Sequence, residues 1–563
     1  MSTGLTALAP STVGRAAATY SPLTRLTLRR ERRSLLAWAL GAGLLSLYCA
    51  TAFTGMYGTP QERATAALTY TTPGSLVFTG PGFGLDAPDP TLGALFATAV
   101  LGYLALVACL MGVLTSVART RKDEEDGPGE LLRAAPVAHG EGARAAAACV
   151  ASTSLAIGLL SALAAICGSL EVVDSLVMGL TLALAGMVAG GAGLILAALA
   201  PSARAASGSG SLLVVLWFLL RGIGDVSDSA GLLSWLTPIG LVQQARPYAG
   251  LRWQPAALLA LAAAVLIGVG LLLHSRRELG EGLLAGRRGG GRHRPGPRGA
   301  VALALRTCAP TRWWWMLGGV VFGACYGVFA PSIEDTFAEM FRTSPLLRDF
   351  MGGDLTVRTY LSLLIGYGSL LGGACAVALA AGGVTEEGSG RAATVLAAPV
   401  SRVRLLAGRV AVVAVGAGGV LAATAAALSA TAVSALVASG SPVADEPWRL
   451  VAGIAVGAVS AWPAGLLAGA IVLALHALVP RLARPVGWGL FLLVTTIQVL
   501  GPLARAPQWL LNLSPFAHRP DLPASTGLWG QAESWAGPGV CLLGAVALTV
   551  LAGFVARRRD LVG

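Results

Sequence analysis

Residues 357–383 read VRTYLSLLIGYGSLLGGACAVALAAGG, a run of apolar and small residues long enough to cross a bilayer as a helix. Similar runs recur along the whole chain of 563 residues, of which 55% are hydrophobic and 12% are charged. A soluble globular chain carries roughly 25% charged residues. The composition therefore predicts an all-α polytopic membrane protein and excludes a soluble enzyme, a disordered protein and a nucleic-acid-binding domain.

We predict about twelve transmembrane helices, six in each half of the chain. Their predicted bounds are 34–53, 91–117, 145–167, 172–200, 207–224, 255–273, 314–330, 357–383, 408–436, 450–478, 485–501 and 537–556. Basic residues predict the orientation, because Arg and Lys collect in cytoplasmic loops. With the N-terminus in the cytoplasm, 30 of the 40 Lys and Arg residues lie on the cytoplasmic side. An even number of spans also keeps the C-terminus there.

The two halves share three sequence landmarks in the same order. The landmark pairs are EEDGPGELLRAAPVAHG (124–140) with EEGSGRAATVLAAPVSR (386–402), ALAP (198–201) with ALVP (477–480), and WLTP (235–238) with NLSP (512–515). Three matches in register indicate a duplicated unit. Because each half holds six spans, we predict two parallel six-helix repeats.

The predicted halves are residues 1–284 and 300–563, joined by the Gly/Pro/Arg-rich segment 285–299. We interpret this segment as a flexible cytoplasmic linker, with a patch for nucleic acid or anionic lipid as the alternative. Each half opens with a stretch of Leu and Arg, residues 19–33 and 300–315. Such stretches predict an in-plane interfacial helix before the first span, against the alternative of a disordered basic tail.

The sequence contains no recognisable energy source for transport. Lys122 is the single lysine and does not stand in a GxxxxGK[ST] motif, so we expect this chain not to hydrolyse ATP itself. Ion-coupled carriers place ionisable residues inside the membrane, and the predicted spans hold almost no Asp, Glu or His. Glu171, Asp174, His274 and His476 are expected at the membrane interfaces.

Two other functions remain as alternatives. A twelve-span proton-coupled drug antiporter would need membrane carboxylates and a Gly-Asp-Arg-rich loop between spans two and three, and the sequence shows neither. A lipid-linked membrane transferase would use acidic residues on outer loops, which otherwise are ordinary solvated charges. The candidates are Asp86, Asp89, Glu334, Asp335, Glu339, Asp349 and Asp354. The eight cysteines lack paired or CxxC spacing and are expected as buried apolar residues rather than disulfides or metal ligands.

The paired cytoplasmic loops each contain Glu-Glu, a Gly-containing stretch, a short Leu/Ala helix and Ala-Pro-Val. GELLRAAPVAHGEGAR (129–144) and GRAATVLAAPVSRVRLLAGRV (390–410) resemble the loop after the second span in ABC-2 type permeases of ATP-binding-cassette exporters. Residues 350–402, WLTPIGLVQQARPYAGLRW (235–253) and NLSPFAHRP (512–520) extend the likeness. Nearly the whole chain is similar to actinobacterial permeases of the polyketide-antibiotic, tetronasin-resistance type.

The resemblance implies a permease subunit of the bacterial plasma membrane that exports hydrophobic or amphiphilic compounds such as antibiotics or drugs. Its two loops would dock on two copies of a separate ATPase, which would bind ATP and Mg, while this chain would bind no cofactor or metal. The residues expected at the docking sites are Glu124, Glu125, Glu130, Leu131, Leu132, Pro136, Glu386, Glu387, Arg391, Leu396, Pro399 and Arg402. The copies differ after Ala-Pro-Val, where Ala138-His139 in the first loop corresponds to Ser401-Arg402 in the second.

The resemblance also implies that the transported compound crosses between the halves. A parallel repeat would place spans two and five opposite spans eight and eleven, and aromatic side chains with a few polar groups suit an apolar ligand. The residues expected on the substrate path are Phe96, Tyr103, Trp217, Phe218, Tyr360, Tyr367, Phe491 and Gln498. Each of them singly could instead face lipid or pack between helices.

Overall fold

The computed structural model describes residues 22–71, 76, 79–125, 140–226, 231–277, 282–283, 299–331, 357–388, 390–501, 507–524 and 532–558. Within these residues the regular structure is helical and contains no strand. The chain divides into two compact units, unit 1 (Met1–Gly290) and unit 2 (Gly291–Gly563). The boundary falls within the predicted linker 285–299, of which all but Gly299 lies outside the described residues, so its flexibility stays a prediction.

Unit 1 is built around two buried helices, α3 (Leu92–Val117) and α5 (Val172–Leu199). Its helices are α1 (Pro22–Met56), α2 (Pro60–Tyr70), α3 (Leu92–Val117), α4 (Glu141–Cys167), α5 (Val172–Leu199), α6 (Ala203–Val226), α7 (Pro238–Gln244) and α8 (Gln254–Ser275). Helix α3 continues through a π-helical turn, Ala118–Lys122, as far as Glu125. The central position of α3 and α5 follows from their burial, which is the highest among the span helices of this unit.

Unit 2 has a comparable arrangement, with α11 and α14 as its most buried helices. Its helices are α9 (Ala300–Thr307), α10 (Ala309–Gly327), α11 (Val357–Gly388), α12 (Arg391–Leu396), α13 (Arg402–Ser439), α14 (Pro447–Leu478), α15 (Pro480–Leu500) and α16 (Ala536–Arg558). Short helical turns lie at Pro442–Ala444, Gln508–Leu511, Pro515–Ala517 and Ala532–Trp535.

Each of the twelve predicted spans overlaps one of these helices. In the described part of the chain, 11 helices are long and apolar enough to cross a membrane, so the protein is a multi-pass membrane protein. Helix α10, at the seventh predicted span, is not among them. Arg312 and the tryptophans at 313–315 lower its mean hydropathy, and Trp favours the membrane interface over the apolar core. The total of twelve spans therefore stays a prediction.

The segment before the first span differs between the units. Residues 22–33 of unit 1 are the first turns of α1, because no proline or glycine interrupts the helix between Pro22 and Gly41. In unit 2 the chain breaks at Cys308, between α9 and α10, where the following Pro310 lacks the N–H that a continuing helix needs. In unit 1 residues 22–33 are thus continuous with the first span, and their position at the membrane interface stays a prediction. Helix α9 is separate, and its in-plane position stays a prediction.

Glycines bring the central helices of unit 1 into close contact. A Cβ atom at Gly158 of α4 would lie 2.1 Å from the carbonyl oxygen of Gly179 in α5. One at Gly112 of α3 would lie 2.2 Å from the carbonyl oxygen of Gly186, also in α5. Since any side chain at Gly158 or Gly112 would collide with backbone, α5 packs tightly between α3 and α4.

Unit 2 uses a row of three buried glycines, Gly319, Gly323 and Gly327, which we call the glycine ridge of α10. A Cβ atom at Gly323 would lie 2.4 Å from the carbonyl oxygen of Thr424 in α13. One at Gly327 would lie 2.1 Å from Oγ1 of Thr431, which donates a hydrogen bond to the Gly323 carbonyl at 3.3 Å. The glycine ridge therefore fixes α10 against α13.

Candidate functional site

Glu124, one of the predicted docking residues, lies between two buried arginines. Its Oε2 atom is 3.3 Å from Nη1 of Arg121, and its Oε1 atom pairs with Arg277. Arg121 also donates to the Pro201 carbonyl at 2.7 Å, and Arg277 donates to the Ala197 carbonyl at 3.1 Å. Burial lowers the pKa of Arg277, and Glu124 opposes this shift. We call Arg121, Glu124 and Arg277 the unit 1 clasp, because they join the ends of α3, α5 and α8.

The neighbouring carboxylates connect further helices at the same end of unit 1. Glu125 Oε1 accepts a hydrogen bond from the backbone N–H of Ala203 at 2.7 Å, in the first turn of α6, where the helix dipole favours a negative charge. Arg119 pairs with Glu31 of α1 and lies 3.6 Å from Asp123. The sequence Asp123-Glu124-Glu125 therefore holds together the helix ends of its own unit.

In unit 2 the corresponding Glu386 and Glu387 have different partners. Glu386 pairs with Arg409 of α13, and Oε2 of Glu387 lies 2.7 Å from Nε2 of His476 in α14. The Arg409 and His476 side chains are 10% and 19% exposed, so both pairs are largely shielded from water. We call these four residues the unit 2 clasp, which joins α11, α13 and α14.

The short helix α12 follows the unit 2 clasp. It begins after Gly390, whose φ of 72° lies in the left-handed region that glycine tolerates. Ala392 and Leu396 line a cavity of about 100 Å³ together with the clasp residues. Arg391 and Pro399 are exposed. Helix α12 and its following turn therefore combine an inner side, against the unit, with an outer side available to another molecule.

The structure thus brings the second set of predicted docking residues together, with Arg402 also lining the cavity. In the first set Glu124 and Glu125 lie together at the end of α3. Four other residues of that set lie outside the described residues: Glu130, Leu131, Leu132 and Pro136. ATPase docking on either loop stays a prediction.

The substrate-path residues predicted in unit 1 lie on α3 and α6. Phe96 is fully buried and its ring is 6.4 Å from that of Phe53. The rings of Tyr103 and Phe218 lie 5.8 Å apart, and Trp217 is half-buried against the main core. Tyr103 and Phe218 are therefore brought together, whereas Phe96 packs as an ordinary core residue.

In unit 2 the predicted path residues lie on α11 and α15. The Tyr360 hydroxyl donates to the Tyr326 carbonyl at 2.9 Å, and the Phe491 ring lies 6.1 Å from that of Phe516. Tyr367 packs between the two main buried clusters of the unit, and Gln498 is half-buried. The structure gives Tyr360, Phe491 and Tyr367 packing roles within the unit, and contact with substrate stays a prediction for the set.

A buried ion pair beside Tyr103 and Phe218 was not expected from the sequence. Arg221 Nη1 lies 3.3 Å from Oδ2 of Asp225, and the two side chains are 0% and 1% exposed. Arg221 also donates to the Thr79 carbonyl at 3.1 Å and to Oε1 of Gln243 at 3.3 Å, and it stacks on Phe218. Asp225 is a carboxylate within a span helix, because α6 continues past the predicted end at residue 224. The i, i+4 spacing of the pair was its one sequence signal.

The structure offers little for the transferase alternative. Among the described residues no cluster of His, Cys, Asp and Glu could hold a metal ion. Asp89 pairs with Arg63 at 2.7 Å, Asp86 is exposed, and the acidic candidates between 334 and 354 lie outside the described residues. All eight cysteines are free, and Cys167 is exposed rather than buried as predicted.

Comparison with known proteins bears on the class of transporter. The family model described as "Multidrug efflux system permease Rv1217c, C-terminal domain" matches residues 21–274 and 298–558. The chain is also 32% identical over 541 residues to the multidrug efflux system permease protein Rv1217c of Mycobacterium tuberculosis. That similarity covers 96% of this chain and 94% of the relative. The chain therefore belongs to the family of the multidrug efflux system permease Rv1217c.

Proposed function

We propose that this protein is the membrane permease subunit of an ATP-driven exporter in the bacterial plasma membrane. It would move hydrophobic or amphiphilic compounds, such as antibiotics or drugs, out of the cell. Energy would come from two copies of a separate ATP-binding-cassette ATPase of the kind that serves ABC-2 type permeases, and that partner would hold ATP and Mg. Family membership supports the export of drugs, and the lack of a Walker A motif in the sequence supports an external energy source.

The observation that carries the proposal is the placement of α12 on the unit 2 clasp. Helix α12 directly follows a span and exposes Arg391, and the ion pairs of the clasp connect its base to α13 and α14. A movement of a bound partner can therefore be transmitted through α12 to three span helices. The clasp glutamates are occupied within their own units. Their proposed role is therefore to hold the docking loops in position, while the exposed side of α12 meets the ATPase.

The proposal includes the topology derived from the sequence. The chain would have twelve spans in two parallel six-helix repeats, with α10 as the seventh span and both termini in the cytoplasm. The clasps and α12 would then lie at the cytoplasmic end, where the positive-inside rule places most Arg residues. The two segments matched by the family model, 21–274 and 298–558, correspond to the two proposed halves and support this division.

The decisive experiment is transport of a hydrophobic fluorescent drug in proteoliposomes. We expect the purified chain alone to hydrolyse no ATP and move no drug. Addition of the ATPase with ATP and Mg should start transport, and a protonophore should not stop it. Drug movement by the chain alone, driven by a proton gradient, would overturn the proposal.

Docking is tested by reversing one residue of the Glu-Glu sequence in each unit, Glu125→Arg beside the unit 1 clasp together with Glu387→Arg in the unit 2 clasp. The reversal removes the carboxylate that caps α6 and places a cation beside His476, so both docking loops should shift. Breaking contacts of buried charged groups costs up to several kcal/mol, and with both loops displaced ATP-driven transport should fall about tenfold or more. The matched control reverses two exposed glutamates at the opposite end, Glu171→Arg with Glu446→Arg, and should transport normally. Normal transport by the clasp variant would refute docking at these loops.

The substrate path is tested by single cysteines at Tyr103, Tyr367 and Gln498 in a chain without its native thiols. A polar side chain at membrane depth should turn toward a polar cavity rather than lipid. At least one of the three should therefore react with a small water-soluble thiol reagent, and transported drug should slow the reaction. If all three are inert in both nucleotide states while accessible controls react, the path lies elsewhere.

A proton-coupled antiporter is the second candidate, and Asp225 is the observation in its favour. A membrane carboxylate is the group through which such a carrier would take up protons. In this structure Asp225 is paired with Arg221, which suits a structural ion pair better than a proton relay. Replacement Asp225→Asn discriminates, because transport that survives it cannot depend on protonation at this position.

A further inference from the structure

Arg246 has a guanidinium group without a polar partner in the described part of the chain. The group stacks on the ring of Phe83, with its central carbon 3.9 Å from the ring centroid. Its Nε atom is buried and makes no hydrogen bond to any described residue. Arginine carries five N–H donors in a planar fork, and leaving such donors unbonded costs free energy. An unbonded Nε atom is shared by Arg119 and Arg312, so the stacking on Phe83 and the lack of any polar partner among the described residues are what set Arg246 apart.

The turn that carries Arg246 is strained and firmly held. Arg246 and Tyr248 have φ values of 50° and 65°, a conformation that residues other than glycine rarely adopt. The Tyr248 backbone N–H donates to Oδ1 of Asp174 at 2.9 Å, and its hydroxyl lies 2.7 Å from Oγ of Ser175. Its ring lies so close to Gly93 that a Cβ atom there would be 2.5 Å away. These contacts fix Arg246 before any ligand arrives.

The guanidinium faces an open cavity of about 650 Å³. Pro81, Phe83, Ala87 and Ala249 give this cavity apolar walls. A narrower pocket that shares Phe83 and Arg246 continues toward Thr98, Leu101 and Gln243. The nearby charges are Asp86, which is exposed and also lines the cavity, and Arg252, which is exposed on the same turn. Arg252 is outside the described lining of both pockets, so Arg246 is the cation and Asp86 the carboxylate that the described lining places beside the apolar surface.

Unit 2 contains an Arg-Pro pair after its own landmark, four residues beyond NLSP rather than eight residues beyond WLTP, and its arginine has a structural role. Arg519-Pro520 follows NLSP, as Arg246-Pro247 follows WLTP. Arg519 donates to the Ser362 hydroxyl at 3.3 Å, to the Ser362 carbonyl at 2.7 Å and to the Pro520 carbonyl at 3.3 Å. These donors of Arg519 are therefore used inside the unit, whereas Arg246 has no such partner among the described residues and lines a cavity.

We infer that Arg246 and Phe83 form a binding site in unit 1 for an oxyanion carried on an apolar body. The planar fork matches a carboxylate or a phosphate, and the walls accept an attached hydrocarbon. Both an exported amphiphilic acid and the headgroup of an anionic lipid present this chemistry. The site goes beyond the proposed function and does not depend on how transport is energised.

The test is a binding measurement on the full chain in nanodiscs of neutral phosphatidylcholine, without ATPase. The first probe is a dansyl-labelled undecanoate, with its uncharged methyl ester as the ligand control. The second is phosphatidylglycerol, mixed into the nanodiscs and counted by native mass spectrometry after release in detergent. The variants are Arg246→Gln, Arg246→Lys and Phe83→Leu. The matched control is Arg252→Gln, which removes the same charge from the same turn.

We expect Arg246→Gln to weaken binding of the acid about tenfold, since hydrogen bonds to a charged group are lost. Phe83→Leu and Arg246→Lys should weaken binding of the acid less. Arg252→Gln should bind the acid about as tightly as the unchanged chain, and the uncharged ester should bind the unchanged chain more weakly than the acid. If the dansyl acid does not bind but phosphatidylglycerol co-purifies and is lost in Arg246→Gln, the site is supported and its occupant is a lipid. Binding of neither probe, or equal loss in Arg246→Gln and Arg252→Gln, would overturn the inference. Melting temperatures of the variants separate misfolding from lost binding, and Phe83→Leu must still reduce affinity if Arg246→Gln does not fold.

Discussion

The two clasps are built on the same Glu-Glu sequence but use different chemistry. In unit 1 Glu124 lies between Arg121 and Arg277, which are permanently charged and also cap helix ends. In unit 2 Glu387 lies against His476, which is charged only when protonated. Repetition of a motif therefore does not imply repetition of its partners. The unit 1 clasp joins helix ends permanently, whereas the unit 2 clasp contains a contact that can weaken.

The largest effect should come from Arg277→Leu, which breaks the unit 1 clasp. The variant leaves Glu124, whose side chain is 14% exposed, with one of its two arginines, and it frees the Ala197 carbonyl. Removing one partner of a buried ion pair costs about 3 kcal/mol or more. The melting temperature of the purified protein in detergent should therefore fall clearly. Arg276→Leu is the control, because the adjacent Arg276 is exposed and should tolerate the change.

A smaller effect is expected from His476→Ala, which breaks the unit 2 clasp at its weaker pair. A hydrogen bond to a charged group contributes about 2 kcal/mol, and the Glu386–Arg409 pair remains. The loss of stability should be smaller than for Arg277→Leu in the same thermal assay. If His476→Ala lowers the melting temperature as much as Arg277→Leu or more, the two clasps do not differ in stability as we expect.

The smallest effect on stability should come from Arg391→Glu on the exposed side of α12. A surface substitution of this kind changes stability by less than about 0.5 kcal/mol. If α12 is the docking helix, ATP-driven transport should nevertheless fall strongly while the melting temperature stays constant. If transport is unchanged in Arg391→Glu, the exposed side of α12 does not bind the ATPase, and the unit 2 clasp has only a structural role.

The positions of the span helices were predictable because each requires a long apolar run, and such runs are visible in the sequence. The continuous α1 was not, since Leu mixed with Arg at residues 22–33 is compatible both with an in-plane helix and with the first turns of a span. In the structure residues 22–33 continue directly into the span, and Glu31 among them pairs with Arg119 at the end of α3. These two residues are far apart in sequence, so their pairing is not visible in a local pattern.

The sequence motifs of the candidate site could be predicted, but the residues that contact them could not. The Glu-Glu pairs were identified, but their partners Arg277, Arg409 and His476 lie on other helices. The Arg221–Asp225 pair escaped because its other contacts, such as that from Arg221 to Thr79, span 142 residues. In the first docking loop, residues 126–139 lie outside the described part of the chain, so the comparison between the loops rests on the clasps.

The glycine ridge of α10 has a consequence for how the protein is made. Gly323 is synthesised 101 residues before its contact Thr424, so α10 leaves the ribosome long before α13 exists. A segment with Arg312 and three tryptophans partitions poorly into lipid by itself. If α10 is the seventh span, as proposed, its packing on α13 can form only after α13 has been made, and the glycine ridge would couple the placement of the two helices. In that case the first span of unit 2 would reach its final packing only after a later helix, not in chain order.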